Sequence, residues 1–242
     1  MTQPLPILMY HQVAVPAARG TRFRGLTVHP SSFRRQMTWM KRLGYRGLSM
    51  RDLAPYLAGE RMGKVFGITF DDGFRNVFEN ALPVLSGLGF TSTNYFVANQ
   101  FDGGNIWDQA ENVPFASLMS VAQARAWASA GQEVGSHTLD HVHLPEISVD
   151  EARRQIGLSR EILEQEIGTS VTAFCYPYGD FKSEHGLLAK EAGYANATTT
   201  NRGLANTTDD PFFLPRVGIW RTTHLLRFFQ KCLTRHEDRR RV

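Results

Sequence analysis

Short apolar runs alternate with longer stretches in which apolar residues recur every three or four positions. The runs Leu5–Tyr10, Val65–Phe70, Thr91–Val97, Glu133–Ser136, Val171–Cys175, Tyr194–Thr198 and Phe212–Ile219 are rich in β-branched and aromatic side chains and read as strands. Tyr45–Leu48 adds a shorter one. Phe33, Met37, Met40 and Leu43 predict a helix capped by Ser31 or Ser32 and closed by Gly44. Arg51–Leu57 predicts a short helix, and Val77, Leu82, Val84, Leu85 and Leu88 predict one that Pro83 can kink. Ser120 caps a helix running to Ala130. Val149–Ile167 is amphipathic, with Ile156, Ile162 and Leu163 inward, and Glu184–Ala192 is the last predicted helix. Residues 98–118 have no period and read as a loop-rich insertion.

Strands separated by helices predict βα units and a mainly parallel sheet, in a barrel or a doubly wound arrangement. The polar residues of interest follow strands: Tyr10-His11, Asp71-Asp72, His137 and Tyr178. A βα barrel gathers the C-terminal ends of its strands on one face, so this placement favours the barrel. With no repeat and no linker, the chain reads as one domain over residues 1–225, followed by a helix end and a basic tail over 226–242.

Composition narrows the function classes. At 42% hydrophobic and 21% charged residues the chain is an ordinary globular one, which excludes disorder and low complexity. Cys175 and Cys232 form neither a disulfide framework nor a zinc-finger spacing, and read as small packed residues in a reducing compartment. The formal charge of +4 sits largely in the run from Arg235 to Arg241, which reads as a frayed, solvated tail. No basic stripe with interleaved aromatics points to nucleic acid, and no run reaches the ~20 apolar residues of a membrane span. The first ten residues lack a basic and then apolar leader, so a cytoplasmic location is the expectation.

Four constellations can carry chemistry. In Thr69-Phe70-Asp71-Asp72-Gly73, two carboxylates end an apolar strand, where charge must be solvated, paired or bound to a cation. The plain alternative is a helix cap with a first-turn acid. A turn at Gly73 would let the two carboxylates point apart, one toward a cation and one toward water. In Ser136-His137-Thr138-Leu139-Asp140-His141, two histidines four apart can face one cation on a helical turn, with His143 turned away. Two histidines and one aspartate leave coordination positions open, as a catalytic divalent cation needs; zinc comes first, with cobalt and nickel as alternatives. His11, at the end of the first strand, is of the residue type that serves as a general acid near neutral pH. Tyr176-Pro177-Tyr178-Gly179 fixes a turn whose aromatics could wall a sugar ring.

Together these residues resemble the NodB-homology polysaccharide deacetylases, carbohydrate esterase family 4, over residues 5 to 220. The resemblance implies a distorted (β/α) barrel of about seven strands, an α/β single domain. It implies Asp71 as general base and Asp72, His137 and His141 as metal ligands. It also implies that Tyr178 offers its backbone N–H to the oxyanion. The family's Arg-x-Pro-Tyr motif has Cys175 in the Arg position here, and Arg216 is the candidate replacement. The usual Leu-x-x-His motif near the C-terminus is missing, and His224 stands outside that context. The run Met9-Tyr10-His11 resembles a circularly permuted branch that includes poly-N-acetylglucosamine deacetylases, which makes His11 the general acid. Phe74, Tyr178 and Trp220 are the candidate sugar-stacking residues. The expected activity is metal-dependent hydrolysis of the acetamide of an N-acetylated sugar. The alternatives are an amidohydrolase or deformylase acting on a small or lipid-linked substrate, or a degenerate carbohydrate-binding module.

Overall fold

The computed structural model describes residues 4–240. In chain order its elements are β1 (Ile7–Tyr10), β2 (Gln12–Val13), β3 (Thr27–Val28), α1 (Pro30–Arg42), β4 (Arg46–Leu48), α2 (Met50–Leu57) and β5 (Val65–Phe70). There follow α3 (Arg75–Asn80), α4 (Leu82–Leu88), β6 (Thr93–Phe96), α5 (Val121–Ser129), β7 (Glu133–Ser136) and α6 (Val149–Ile167). The last are β8 (Ala173–Cys175), α7 (Ser183–Glu191), β9 (Asn196–Arg202), β10 (Leu214–Gly218) and α8 (Leu225–Leu233).

Seven parallel strands close into a barrel in the order β1-β10-β9-β8-β7-β6-β5, with β5 returning to β1 through Ile7↔Gly67 to Tyr10↔Phe70. The expected distorted seven-stranded α/β barrel is therefore the fold. One distortion is at β5, whose first residues pair with β4 and whose last two pair with β6. Tyr45–Leu48 thus contributes a short strand outside the closed ring. Side chains alternate through the wall. Leu8, Tyr10, Phe66, Ile68, Phe70 and Phe174 pack under the helices. Ile7, Val65, Tyr95, Ala173, Cys175 and Leu214 form the separate interior cluster, joined by Met50 and Leu53 of α2.

Three local expectations are corrected. Helix α1 is capped by His29, whose Nδ1 accepts from the Ser31 N–H at 3.2 Å, with Pro30 in the first turn. Proline loses nothing there because that N–H has no helical partner. The segment from Val77 to Leu88 is two helices that meet at Ala81, and Pro83 starts the second one. The charged C-terminal run is anchored rather than frayed: Arg235 and Arg239 are exposed, but Glu237 is fully buried and pairs with Arg202 at 2.7 Å and Lys231 at 3.1 Å. Asp238 accepts the Leu204 N–H at 2.8 Å, while Arg241 lies outside the described residues. Both cysteines are free and buried. No described helix is long and apolar enough to cross a membrane.

Candidate active site

At the end of β5 the Asp71 N–H bonds to the Tyr10 carbonyl at 3.0 Å, and the chain then turns left-handed at Asp72 (φ 75°) and Gly73 (φ 77°). A Cβ at position 73 would lie 2.9 Å from the Phe96 ring, so both the backbone and the space require glycine. The turn sends the two carboxylates in different directions, Asp72 toward the histidines and Asp71 toward Arg216.

The histidines do not lie on a helical turn, which corrects the sequence expectation. They lie on a loop in which Thr138 (φ 66°) and His141 (φ 56°) are left-handed. Side chains hold this loop. Thr138 Oγ1 accepts the His141 N–H, and Gln155 Oε1 on α6 accepts the N–H groups of Leu139 and Asp140, all at 3.1 Å. Asp72, Thr138, His141 and Tyr178 (φ 59°) account for four of the seven non-glycine residues with positive φ among the described residues. Such conformations cost free energy, and their concentration here marks a functional region.

His137 Nδ1 donates to the Cys175 carbonyl at 2.7 Å. That bond leaves Nε2 facing Asp72 Oδ1 at 3.4 Å, while His141 Nε2 stands 3.3 Å from the same oxygen. All three side chains are buried. Burial, only partly offset by Asp72, pushes the His141 pKa down to about 4, so its ring is neutral near pH 7. Burial also pushes His137 down, but Cys175, Asp72 and Asp71 outweigh it and hold its pKa well above the ordinary value. Burial pushes Asp72 up, yet its bonds to the two histidines keep it strongly depressed. Two ring nitrogens and a carboxylate oxygen converging at this range attract a cation. The set fits a divalent ion with three protein ligands and open positions, and the Nδ1 bond of His137 is the kind that orients a metal-bound imidazole.

Asp71 meets Arg216 in a fork: Nη1 donates to Oδ1 at 2.7 Å and Nη2 to Oδ2 at 2.8 Å. The guanidinium is itself fixed by Thr199 O at 2.8 Å, Thr69 Oγ1 at 3.0 Å and Cys175 Sγ at 3.2 Å. Burial pushes the Asp71 pKa up, but Arg216 and then His11 hold it below the usual carboxylate range. His11 Nε2 lies 3.9 Å from Asp71 Oδ2. Arg216 thus enters from β10 beside the small Cys175 thiol and reaches the carboxylate that precedes the metal-type cluster.

A family model described as polysaccharide deacetylase matches residues 58–197, more than half of the chain. The chain belongs to the polysaccharide deacetylase family. Members of this family are hydrolases of carbon–nitrogen bonds and are in general metal-dependent. YxkH of Bacillus subtilis is 25% identical over 89% of this chain and 71% of its own length. The poly-beta-1,6-N-acetyl-D-glucosamine N-deacetylase of Escherichia coli K12 is 23% identical over 95% of this chain, which spans only 38% of that protein. The fold matches that of the Streptococcus pyogenes deacetylase PplD, solved in complex with acetate, with a TM-score of 0.85 and 24% identity over 96% of this chain and 99% of that one.

The remaining candidates surround this deacetylase-family centre unequally. Trp220 follows β10, half-buried, with its ring 6.4 Å from that of His11. The Tyr178 ring is partly exposed and stacks on His143 at 3.7 Å, edge-on to His141 at 4.4 Å. His143 bonds Asp180 at 2.8 Å and takes no place in the three-donor cluster. His224 caps α8 and is exposed. Phe74 is corrected: it is 2% exposed and packed in the core under the helices, because the Gly73 turn sends it inward, so it offers no face to a sugar.

Sequence reasoning missed two residues of the insertion. The Trp107 ring stacks on His141 at 4.5 Å and 20°. Asp108 is half-buried, and burial, followed by the field of Asp72, raises its pKa. No periodicity flags them, since they reach the site only through the folded path of the 98–118 segment. The one available signal was a Trp-Asp pair in a long loop with no structural pattern to serve.

Proposed function

We propose that the chain is a metal-dependent N-deacetylase of N-acetylated sugar chains, which hydrolyses an acetamide with water to a free amine and acetate. The observation that carries this reading is the buried fork of Arg216 on Asp71, directly beside the Asp72–His137–His141 cluster. The name of the Escherichia coli relative supports the sugar substrate. Asp72, His137 and His141 would hold the divalent ion, zinc first by its donor set. When bound, it supplies Lewis acidity toward the amide carbonyl and toward water.

The chain's own residues do the rest. Asp71, kept ionised by Arg216, takes a proton from the attacking water. Arg216 touches no reacting atom; it fixes the two carboxylate oxygens in one orientation. The Tyr178 N–H, presented by its left-handed turn, is offered to the oxyanion as the carbonyl becomes tetrahedral. His11, 3.9 Å from Asp71 Oδ2, gives a proton to the departing nitrogen, so the amine leaves neutral. Trp220 and the exposed edge of Tyr178 flank the sugar.

The test is acetate release from N-acetylglucosamine oligomers, with chelator-treated protein beside the same protein restored with zinc or cobalt. Release that vanishes with the chelator and returns with the metal supports the reading. A protein that binds one metal per chain yet releases no acetate from any oligomer overturns it.

A further inference from the structure

Beside the active site lies a cavity of about 540 Å³. Its inner wall is the rim of β1, β9 and β10, with Met9, Thr200 and Gly218, and its outer wall is α8. Two contacts join it to the catalytic face. Trp220 lines the cavity while its ring stands 6.4 Å from that of His11. Thr200 packs so closely on the Tyr178 turn that a Cβ on Gly179 would come within 1.9 Å of its Oγ1. The cavity therefore adjoins the catalytic face on the side of Trp220 and the Tyr178 turn.

The wall carries excess positive charge. Arg202, Arg227 and Lys231 face one carboxylate, Glu237, which Arg202 and Lys231 already share at 2.7 and 3.1 Å. Lys231 is 3% exposed and also donates to the Gly218 carbonyl at 2.9 Å, so it is built in rather than adrift. Arg227, exposed on the first turn of α8, has no ion pair among the described residues. A concave site with unbalanced cations focuses potential and favours an anion. Hydrogen bonds from such groups to a carboxylate or phosphate are among the stronger ones. A unit that has already lost its acetyl group carries an ammonium and is repelled by the same wall.

We propose that this cavity is a subsite for a carboxylate or phosphate carried by the unit next to the sugar whose acetamide is cleaved. The assignment to a sugar unit rests on the deacetylase reading, whereas binding of the anion does not.

Two measurements separate them. Inorganic phosphate and D-glucuronate are titrated into the protein while Trp220 fluorescence is followed, with Trp220→Phe identifying its share of the signal. Saturable binding is expected, weakened about tenfold in Arg227→Gln, as loss of a charged hydrogen bond implies. Acetate release is then compared for neutral N-acetylglucosamine oligomers and for oligomers of equal length bearing a uronic acid or a phosphate ester. The kcat/KM preference for the charged oligomers should be about tenfold and fall to near one in Arg227→Gln. The better of the two charged oligomers identifies the anion. Absence of saturable binding, or an affinity that Arg227→Gln leaves unchanged, overturns the subsite. Anion binding through Arg227 without hydrolysis of any oligomer overturns the deacetylase reading and leaves the anion site standing.

Discussion

Arg216→Met should destabilise the fold and slow turnover, and the size of both effects follows from what the side chain holds. The guanidinium is fully buried and donates to both oxygens of Asp71, to Thr199 O and to Thr69 Oγ1. Methionine of similar length fills the space but strips the buried Asp71 of both forked hydrogen bonds and of its nearest positive charge, leaving only His11 at 3.9 Å. Stranding one partner of a buried ion pair costs about 3–5 kcal/mol. For a domain of this size each kcal/mol moves Tm by about 2–4 °C, so a fall of roughly 6–20 °C is expected.

A double-mutant cycle by calorimetry on chelator-treated protein checks the cause. Asp71→Asn removes the stranded charge, so adding it to Arg216→Met should recover stability, with a coupling above about 1 kcal/mol. In kinetics on metal-loaded protein, a positioning role predicts that kcat falls while KM for the oligomer holds. The reasoning is refuted if Arg216→Met costs under about 1 kcal/mol, or if the two substitutions are additive.

Four further outcomes follow. Asp71→Asn should lower kcat by about 10²–10⁴-fold with one metal still bound per chain; metal loss, read by elemental analysis, would assign the ligand role to Asp71 instead of Asp72. His11→Ala should slow amide hydrolysis by a similar factor but affect 4-nitrophenyl acetate far less, because that leaving group needs no proton; equal losses would remove His11 as the acid. Trp107→Ala should weaken zinc affinity about tenfold in a chelator competition. The reason is that His141 Nδ1 has no hydrogen-bond partner among the described residues, so stacking by Trp107 and the edge contact of Tyr178 orient that ring. Glu237→Gln should destabilise by about 1–3 kcal/mol at pH 7. Burial pushes the Glu237 pKa up, but Arg202 and Lys231 more than offset it and depress the folded-state value. Its stabilisation is therefore complete above the unfolded carboxylate range of about 4.3 and lost as pH falls through the folded value, so the gap between wild type and variant should close in acid.

How much of this was legible in the sequence depended on how far apart the cooperating residues lie. The barrel was legible because each strand and helix writes its own period, and the strands that end in charge or histidine all open toward one face. The Asp71-Asp72-Gly73 turn and the pair His137 and His141 were legible because each is a local cluster. Even there the conformation was not, since four-residue spacing fits a helical turn as well as the observed loop, which Thr138 and the distant Gln155 on α6 hold. Arg216 was reachable by a different route: a missing arginine next to a buried carboxylate demands a substitute, and a cation ending a late strand can supply one. The misreadings share a cause. Glu237 looked solvated because its counter-charge Arg202 lies 35 positions earlier. Phe74 looked like a platform because its neighbours are chemical, while its own direction was set by Phe96, which forces glycine at 73. Trp107 had no local period at all, and its stacking partner His141 lies on a different loop. A sequence states which charges must be satisfied; only the closed barrel determines which distant side chain satisfies them. The orienting side chains Trp107 and Arg216 are therefore the places where activity can change while the Asp-Asp and His-His motifs stay intact.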